Sequence, residues 1–363
     1  MKVLVPKKSL AETLARVERI VPSRSSNPGL SLLRIDVSED GMELSGSNMD
    51  VDIRARFAAD SPGRGSYAVL GHVFSQVVRA LPSDDVELEF AEDELQLRSG
   101  GFATKLQLMA PGSAPMLNFA PEFSGALDAP RFARGLAAVK YAAAVADFQA
   151  VFRGVKLELA DGRTRTVATD GFRLAYFDIA ESSGLQADII VPARSVEELL
   201  RVLDEGEVKL ALEPGQLSVQ HGNYALNLKL MEGTFPDYER VIPKNFPVSI
   251  TLGSTRLAEA VARVALMADK TTNNRVDLFI KDGELQITAE GSFGRSQEAI
   301  PVIQEGTDSE IGLAYNSKYL VDAVAPVNGD VRLSFSGTNS APSVITDLGD
   351  PSYLAMVVPL RTA

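Results

Sequence analysis

Residue types that could carry out catalysis are scarce in this chain. It has no cysteine and two histidines, His72 and His221, which excludes disulfides, thiolate nucleophiles, cysteine-ligated zinc and iron–sulfur clusters. Two histidines leave little for a histidine metal site or a proton shuttle. The sequence has no Gly-Lys dipeptide, no Gly-x-Ser-x-Gly and no His-x-x-x-His, so it lacks the usual P-loop, nucleophile elbow and helical zinc pair. Because active sites assemble from distant residues, an enzyme becomes less expected but is not excluded.

Three local patterns could hold a ligand, and each has a simpler interpretation. Residues 63–68 (GRGSYA) match a dinucleotide pattern but stand between strand-like segments and open no helix, which favours a plain loop. The acidic groups at 84–85 and 92–94 border strands and fit no calcium loop, which favours solvated turns. His221 precedes Gly222-Asn223 and is expected to be a turn residue. We therefore expect no cofactor and no metal site.

The overall composition argues against nucleic acid as a partner. The chain has 363 residues, enough for two or three domains. Its 36 Lys and Arg against 48 Asp and Glu give a net charge of −12, unfavourable for binding nucleic acid or anionic membranes. The residues after Met1 lack a secretory signal pattern, and the longest uncharged run, 106–121, is interrupted by Pro and Gly. We expect a cytoplasmic protein that does not span a membrane.

Two helical patterns recur along the chain with nearly the same period. The first has apolar residues at i, i+4 and i+7, and its copies start 122 and 125 residues apart. The second recurs at spacings of 122 and 124 residues. Two independent patterns with one period indicate three related domains. The first pattern comprises Leu10, Leu14, Val17; Phe132, Leu136, Val139; and Leu257, Val261, Val264, and the second begins at Phe74, Val196 and Leu320.

Alternating strand patterns follow each of these helices. The hairpins turn at sequences such as Asp161-Gly162 and Asp282-Gly283, where glycine tolerates a positive φ. The pattern predicts an α+β fold of three repeated domains, 1–122, 123–247 and 248–363, each with two helices packed on antiparallel sheets. Strands are expected at 33–37 with 42–44, 155–159 with 166–168, 276–280 with 285–287, and at 86–90, 208–212 and 331–335.

Charge is divided unevenly between the helices and the rest of the chain. The six helical windows carry +6 in total, so the remaining residues carry −18. On a helical projection the arginines of the first, third and fifth helices lie about 200–260° from the apolar stripe, and therefore point away from the sheet. Two interpretations stay open: ordinary solvated helix faces, or a helical surface that attracts phosphates without reading sequence. The windows are 7–19, 71–81, 131–140, 194–204, 255–267 and 316–325.

Longer motifs are concentrated in the second and third repeats. They are residues 165–175 (RTVATDGFRLA), 190–194 (IVPAR), 233–238 (GTFPDY), 240–244 (RVIPK) and 357–361 (VVPLR). Together they resemble the bacterial β sliding clamp, the processivity subunit of DNA polymerase III, and the resemblance extends over the whole chain. It implies a DNA-clamp fold in which a head-to-tail, ring-forming dimer of six domains surrounds duplex DNA, with helices lining the hole. Such head-to-tail contacts close after two subunits.

The resemblance implies a non-catalytic DNA sliding clamp that tethers the replicative polymerase and other partners for processive synthesis. The protein would have no active site of its own and would bind double-stranded DNA without sequence preference. One departure is that residues 146–151 lack the polar and aromatic DNA contacts of some relatives. The implied DNA-facing residues are Arg16, Arg24, Arg79, Arg131, Arg134, Arg194, Arg256 and Arg263.

A peptide pocket is implied as well, for the polymerase, the clamp loader and other proteins with a short clamp-binding motif. An apolar groove with a polar rim suits a motif anchored by Leu or an aromatic residue, although 357–360 read alone is a plain last core strand. Phe172 stands where relatives often have His, and Asn273 replaces an aromatic rim residue, which leaves the motif preference open. The implied pocket residues are Phe152, Thr169, Gly171, Phe172, Arg173, Leu174, Pro236, Arg240, Val241, Asn316, Tyr319, Met356, Val357, Val358, Pro359, Leu360 and Arg361.

The homodimer seam is expected between the first domain, near Gln76, Lys105 and Leu106, and the third domain, near Met267. Two other functions compete with a clamp. One is a three-domain scaffold that binds peptides without encircling DNA. The other is an enzyme with a site at a domain junction.

Overall fold

Six helices alternate with antiparallel strands along the chain. The structure, a computed structural model, describes residues 1–145, 150–338 and 341–361. Within these ranges the helices are α1 (Lys7–Val17), α2 (Gly71–Ala80), α3 (Ala129–Val139), α4 (Ala193–Leu200), α5 (Ser254–Val264) and α6 (Ser317–Val324).

The strands repeat in three consecutive sets. The first set is β1 (Lys2–Pro6), β2 (Leu32–Ser38), β3 (Gly41–Ser47), β4 (Val51–Phe57), β5 (Gly65–Leu70), β6 (Asp85–Phe90), β7 (Glu94–Ser99) and β8 (Phe102–Met109). The second set is β9 (Gly125–Asp128), β10 (Gly154–Ala160), β11 (Arg163–Thr169), β12 (Arg173–Ile179), β13 (Ala187–Pro192), β14 (Glu207–Glu213), β15 (Gln216–His221) and β16 (Tyr224–Lys229). The third set is β17 (Val248–Gly253), β18 (Arg275–Lys281), β19 (Glu284–Gly291), β20 (Gly294–Pro301), β21 (Ile303–Gly306), β22 (Glu310–Asn316), β23 (Asp330–Phe335), β24 (Ser343–Asp347) and β25 (Tyr353–Val357).

The helices bury the apolar stripes that the sequence predicts. Leu10, Leu14 and Val17 of α1 are buried, as are the matching residues of α3 and α5. Burying each Leu, Val or Phe removes apolar surface from water and contributes about 1.5–3 kcal/mol. The fourth helix ends at Leu200, before the end of its predicted window of 194–204, and the backbone N–H groups of Val202 and Leu203 both donate to Leu199 O in the turn that follows.

The antiparallel sheets confirm the predicted fold class. A twelve-stranded sheet has the order β1-β6-β7-β8-β5-β2-β3-β4-β16-β15-β14-β9, a nine-stranded sheet the order β13-β10-β11-β12-β25-β24-β23-β17-β21, and a four-stranded sheet the order β20-β19-β18-β22. The Asp282-Gly283 hairpin turn has φ of 50° and 77° at its two residues, the left-handed conformation that its sequence predicts.

Sheets continue from one repeat into the next by a single rule. The fourth strand of the first set, β4, pairs with the last strand of the second set, β16. The fourth strand of the second set, β12, pairs with the last strand of the third set, β25. The same kind of strand therefore makes each junction between consecutive repeats.

Two compact units result from this pairing. One contains residues 1–130 and 194–230, and the other contains residues 131–193 and 231–363. The second repeat is divided between them, because β9 and β14–β16 extend the sheet of the first repeat whereas β10–β13 join the sheet of the third. Among the described residues, no helix has the length and hydropathy of a membrane span.

Candidate functional site

An apolar cluster lies where β12 meets β25. Its buried members come from strands and from the segment that follows the second strand set. The ring of Phe152 packs edge-on against the ring of Phe235, with the centroids 6.4 Å apart. Val151, Tyr176, Met231 and Ile242 pack around it, half-buried. The buried members are Val167, Leu174, Ile190, Phe235, Tyr238 and Met356.

The last strand both completes the core and forms an edge of this cluster. Leu174 faces Met356 across the β12–β25 ladder. Beyond β25, Val358 N donates to Phe172 O over 2.9 Å and Leu360 N donates to Ala314 O over 2.7 Å. Met356, Val357 and Pro359 are buried while Val358 and Leu360 are half-buried. The end of the chain is thus fixed by its backbone, and its side chains alternate between buried and half-buried along the edge of the predicted peptide groove.

A tight turn between β11 and β12 presents Phe172 at the rim. Thr169 Oγ1 donates to Arg173 O over 2.7 Å and accepts from Gly171 N. Asp170 Oδ1 accepts from the N–H groups of Phe172 and Arg173. Gly171 has a φ of 89°, which a side chain would disfavour. The turn leaves the Phe172 ring 63% exposed, beside the apolar cluster.

Arg173, one of the predicted pocket residues, is buried. Its side chain is 7% exposed, donates from Nε to Asp170 over 3.0 Å, and donates from Nη1 to Asp322 of α6 over 2.6 Å. The guanidinium also stacks on Tyr319, 4.4 Å from the ring centroid. Both of its charge partners lie within the chain, so Arg173 joins β12 to α6.

A short 3-10 turn, Tyr238–Val241, carries two further predicted pocket residues and is the predicted second wall of the peptide pocket. Val241 is 51% exposed, and Arg240 is exposed in an ion pair with Asp237 at 2.6 Å. Pro236 is exposed beside them. This wall therefore offers an apolar side chain flanked by charge, which suits a peptide with both kinds of residue.

The remaining predicted pocket residues contribute unequally. Asn316 caps α6, because its side chain accepts from Lys318 N over 3.0 Å, and Tyr319 is half-buried against Arg173. Arg361 is exposed at the end of the described chain. Asn273 is exposed with a φ of 58° at the end of a 3-10 turn, a left-handed conformation that Asn tolerates.

Five of the predicted DNA-facing arginines are exposed, and two of these five, Arg79 and Arg263, also have ion-pair partners within the chain. Arg24, in the loop after α1, and Arg194 and Arg256, near the starts of α4 and α5, are exposed. Arg79 pairs with Glu18, Arg263 pairs with Glu298 at 2.8 Å, and Arg16 donates to Tyr224 Oη over 2.7 Å. The hydrogen bond from Arg263 lowers the pKa of Glu298.

The prediction that the helix arginines point away from the sheet is wrong for Arg131 and Arg134. Their guanidinium groups turn back over the ring of Phe177 in β12, with Cζ 4.6 and 6.0 Å from its centroid. Arg131 donates to Asp350 over 3.0 Å, and Arg134 lies 3.8 Å from Asp347. Stacking on the ring and pairing with carboxylates outweigh the direction set by the helix backbone.

The contact with Arg131 helps to lower the pKa of the Asp350 carboxyl. Burial alone would raise the pKa of its carboxyl, but hydrogen bonds from Arg131 and Ser352 outweigh it and hold the pKa below the ordinary value. Ser352 Oγ also accepts from Arg131 over 2.6 Å. The pair fixes α3 to the turn before β25, the strand that borders the groove.

The predicted seam residues are only partly at the surface. Gln76 is exposed on α2 and Met267 is half-buried after α5. Lys105 is exposed but bound to Glu94 at 2.5 Å. Leu106 is 9% exposed and faces the core of its own sheet. Because side chains alternate along β8, Lys105 and Leu106 lie on opposite faces of the sheet, and the placement of the seam near them stays a prediction.

Three exposed apolar side chains near these positions were not predicted. Phe102 on β8 is 41% exposed, Leu266 after α5 is 78% exposed, and Phe293 in the β19–β20 turn is 93% exposed. The signal available in the sequence was the aromatic residue in Ser292-Phe293-Gly294, since an apolar residue at a hairpin tip has no core to enter.

The other candidates for chemistry are structural. His221 is buried at the end of β15, where Nε2 accepts from Asp204 N over 3.1 Å and Nδ1 lies 3.0 Å from Glu207 O. It is therefore a neutral, Nδ1-protonated support for the preceding turn, not an exposed turn residue. Of the 63–68 segment, which is predicted to be a plain loop, residues 63–64 form a loop, but 65–68 belong to β5, so that prediction is wrong for the second part of the segment. Among the described residues, no group of three His, Asp or Glu side chains could hold a metal ion. Most of the 146–151 segment, residues 146–149, lies outside the described residues.

Comparisons with known proteins agree on one family. The models of the N-terminal, central and C-terminal domains of the DNA polymerase III beta subunit match residues 1–118, 126–237 and 239–361 in order. The chain is 29% identical over 370 residues to the beta sliding clamp of Escherichia coli K12, covering 99% of this chain and 100% of that protein. It is 27% identical over 374 residues to the beta sliding clamp of Caulobacter vibrioides NA1000, with the same coverage.

Solved structures give the same answer for the fold. The sliding clamp of Pseudomonas aeruginosa bound to griselimycin and the sliding clamp of Bacillus subtilis each match with a TM-score of 0.93 at 24% identity, over 100% of both chains. The three domain models together with this full-length agreement place the chain in the bacterial β sliding clamp family, the beta subunits of DNA polymerase III.

Proposed function

We propose that this sliding clamp acts as a head-to-tail homodimer that encircles duplex DNA and tethers the replicative polymerase, the clamp loader and other proteins carrying a short clamp-binding motif. It supplies processivity and has no active site of its own. The domains are those predicted from the repeat, 1–122, 123–247 and 248–363. The observation that carries the proposal is the pairing rule between repeats.

Two strands, β20 and β8, occupy the same places in their repeats as the junction strands but have no junction partner within the described chain. The fourth strand of the third set, β20, pairs with β19 alone, and β8 meets β5 only through Ala68 and Val69. By the rule that joins β4 to β16 and β12 to β25, β20 is the partner of β8 in a second copy. In a dimer, β20 of each copy pairs with β8 of the other, and neither edge is left unpaired. The two copies therefore close into a ring.

Exposed apolar side chains at these edges support the same assembly. Phe102 lies on β8, whereas Leu266 and Phe293 lie beside β20. Large exposed apolar residues on a soluble chain mark interaction surfaces. Unpaired strand edges are also a template for pairing with another chain.

The DNA contact would be electrostatic and independent of sequence. Arg24, Arg194 and Arg256 are exposed on or beside helices, and the helices are the basic part of a chain whose net charge is −12. Phosphate contacts of this kind position a protein without reading bases, so sliding is expected. The acidic remainder would repel DNA from the outside.

The decisive test is topological. Protein loaded on nicked circular DNA should stay bound through gel filtration and should be lost when the circle is linearised, because a ring can leave only over an end. Equal retention on circular and linear DNA rejects encirclement. A monomer at micromolar concentration, by analytical ultracentrifugation, would favour the peptide-binding scaffold instead.

The proposed binding of partner proteins is tested by a deletion at the end of the chain. Deleting residues 358–363 removes the bonds of Val358 and Leu360 to Phe172 and Ala314, while leaving β8 and β20 intact. Binding of polymerase and loader should be abolished and the dimer should persist. Simultaneous loss of both would show that the deletion acts on folding and not on the groove.

A further inference from the structure

A buried guanidinium lies directly behind the exposed wall of the groove. The side chain of Arg165, on β11, is 8% exposed. Its Nε and Nη2 donate to the two carboxylate oxygens of Asp178 over 2.6 and 2.8 Å, which fixes the plane of the fork. The remaining nitrogen, Nη1, donates to Tyr238 Oη over 3.1 Å and to Glu239 Oε1 over 3.0 Å.

Tyr238 continues this chain of bonds. Its hydroxyl accepts from Arg165 and donates to the carboxylate of Glu158, 3.1 Å from each oxygen. Glu158 is held in turn by Lys156 at 2.8 Å, and Lys156 also pairs with Asp188 at 2.9 Å. Burial raises the pKa of Tyr238 above its ordinary value even though the bond from Arg165 opposes this, so the hydroxyl keeps the proton that it donates.

These bonds fix the turn that carries Arg240 and Val241. The 3-10 turn Tyr238–Val241 is four residues long, and its closing bond from Ile242 N to Glu239 O is 3.4 Å. Such a turn has little rigidity of its own. Its position is therefore set by the ring of Tyr238 in the apolar cluster and by the bonds from Arg165 to Tyr238 and Glu239.

We propose that Arg165 and Tyr238 are positioning residues for partner binding, which hold the Tyr238–Val241 turn so that Arg240 and Val241 form a rigid wall of the groove. The proposal rests on the proposed partner-binding function. Neither side chain needs to touch the peptide. A wall that is already ordered costs less conformational entropy on binding than one that must be ordered by the peptide.

The test separates the hydroxyl from the ring. Tyr238→Phe keeps the aromatic packing against Phe235 and removes both bonds of the hydroxyl. Tyr176→Phe is the matched control, because Tyr176 stacks its ring on the same guanidinium, 4.2 Å from Cζ. Affinity is measured by fluorescence anisotropy with a labelled ten-residue peptide ending in Leu-Phe, against the same peptide ending in Ala-Ala.

A second readout reports on the wall without any peptide. Because the chain has no cysteine, Arg240→Cys can carry a single nitroxide whose mobility is read by electron paramagnetic resonance. We expect Tyr238→Phe to weaken peptide binding about tenfold, as for a lost hydrogen bond to charged groups, and to mobilise the label. Tyr176→Phe should change the affinity less than twofold and leave the label unchanged.

Failure of the positioning role and failure of the proposed partner groove give different results. Unchanged label mobility in Tyr238→Phe overturns the positioning role, whatever happens to affinity or melting temperature. Mobilised label with unchanged affinity for the Leu-Phe peptide overturns it too, because the wall would then be irrelevant to binding. If the wild-type protein does not distinguish the two peptides, the proposed partner groove is rejected, while the label still reports whether Arg165 and Tyr238 order the turn.

Discussion

Arginine side chains in this protein differ in burial and in the number of carboxylates that they bind. Arg165 and Arg173 are almost fully buried and each binds carboxylates on separate elements. Arg194 and Arg256 are exposed. A helical projection gives only the direction in which a side chain starts, so it could not predict that Arg131 folds back over Phe177 to reach Asp350, 219 residues away in sequence.

The Arg131–Asp350 contact predicts a dependence of stability on pH. The pKa of Asp350 is lower in the folded protein than its ordinary value of about 3.9. The contribution of the ionised Asp350 carboxylate to the free energy of unfolding is therefore complete above about pH 3.9. It is lost as the pH falls through the lowered pKa of the folded protein. Asp350→Asn should cost about 1–2 kcal/mol at pH 7, and the difference from wild type should shrink below about pH 4.

Urea unfolding at pH 7, 5 and 3 measures this difference. Asp40→Asn, at an exposed turn carboxylate, is the control and should match wild type throughout. A wild-type advantage over Asp350→Asn that is equally large at pH 3 and pH 7 would mean that the carboxylate charge is not responsible.

Phe172 should contribute to affinity and hardly at all to stability. Its ring is 63% exposed at the groove rim, so Phe172→Ala should change the free energy of unfolding by no more than about 0.5 kcal/mol. Removing a large aromatic contact from a small interface should weaken peptide binding about tenfold. Isothermal titration calorimetry measures the affinity.

A second exposed aromatic residue provides the control for this change. Phe279, on β18, is 40% exposed and is not among the predicted groove residues. Phe279→Ala should bind the peptide like wild type. Equal losses in both variants would indicate a general surface effect and would remove Phe172 from the groove.

At the level of elements, local patterns predicted helices and hairpins well because their signals lie within a few residues. The i, i+4, i+7 stripes correspond to α1, α3 and α5, and the glycine turns correspond to the β10–β11 and β18–β19 hairpins. The junctions β4–β16 and β12–β25 could not be predicted in this way. They join residues at least 169 positions apart, for which no periodicity in the sequence provides a register.

The junction rule gives the register of the seam. Arg54 faces Ala225 in the first junction and Tyr176 faces Leu354 in the second. In the third repeat, Gln297 on β20 occupies the position of Arg54 and Tyr176, and in the first repeat Ala103 on β8 occupies the position of Ala225 and Leu354. Gln297 of one copy should therefore face Ala103 of the next. A protein with Ala103→Cys and Gln297→Cys should form disulfide-linked dimers, since opposed Cα atoms lie within bonding range.

Non-reducing electrophoresis after mild oxidation detects the crosslink. The native chain has no cysteine to interfere. Ala103→Cys with Ala299→Cys is the matched control, offset by two residues on the same face of β20. Faster crosslinking of the offset pair would show that the register does not follow the rule.

For the whole molecule, the net charge of −12 combines a basic set of helical windows, +6 in total, with an acidic remainder of −18. If the exposed helix arginines contact phosphates, Arg194→Glu with Arg256→Glu should weaken binding to a short duplex and flatten its salt dependence. Each lost contact should reduce the slope of log affinity against log salt by about 0.9. Fluorescence anisotropy between about 50 and 200 mM salt measures the slope.

An arginine away from the helices tests whether position matters. The side chain of Arg64 is 76% exposed in the loop before β5. Arg64→Glu changes the net charge by the same amount per site, yet it should leave the slope unaltered. A slope that follows the net charge alone would argue against a basic lining.

The junction between repeats has a consequence for how such a ring comes apart. Within one chain, the strands of the β4–β16 and β12–β25 junctions are tethered by the polypeptide, which gives them an effective concentration on the order of millimolar. In the proposed ring the β20 and β8 edges join separate copies, so its assembly depends on the concentration of the protein itself. Dilution would therefore separate the two copies at these seams and leave the four tethered junctions closed, so chain connectivity would determine where the ring opens.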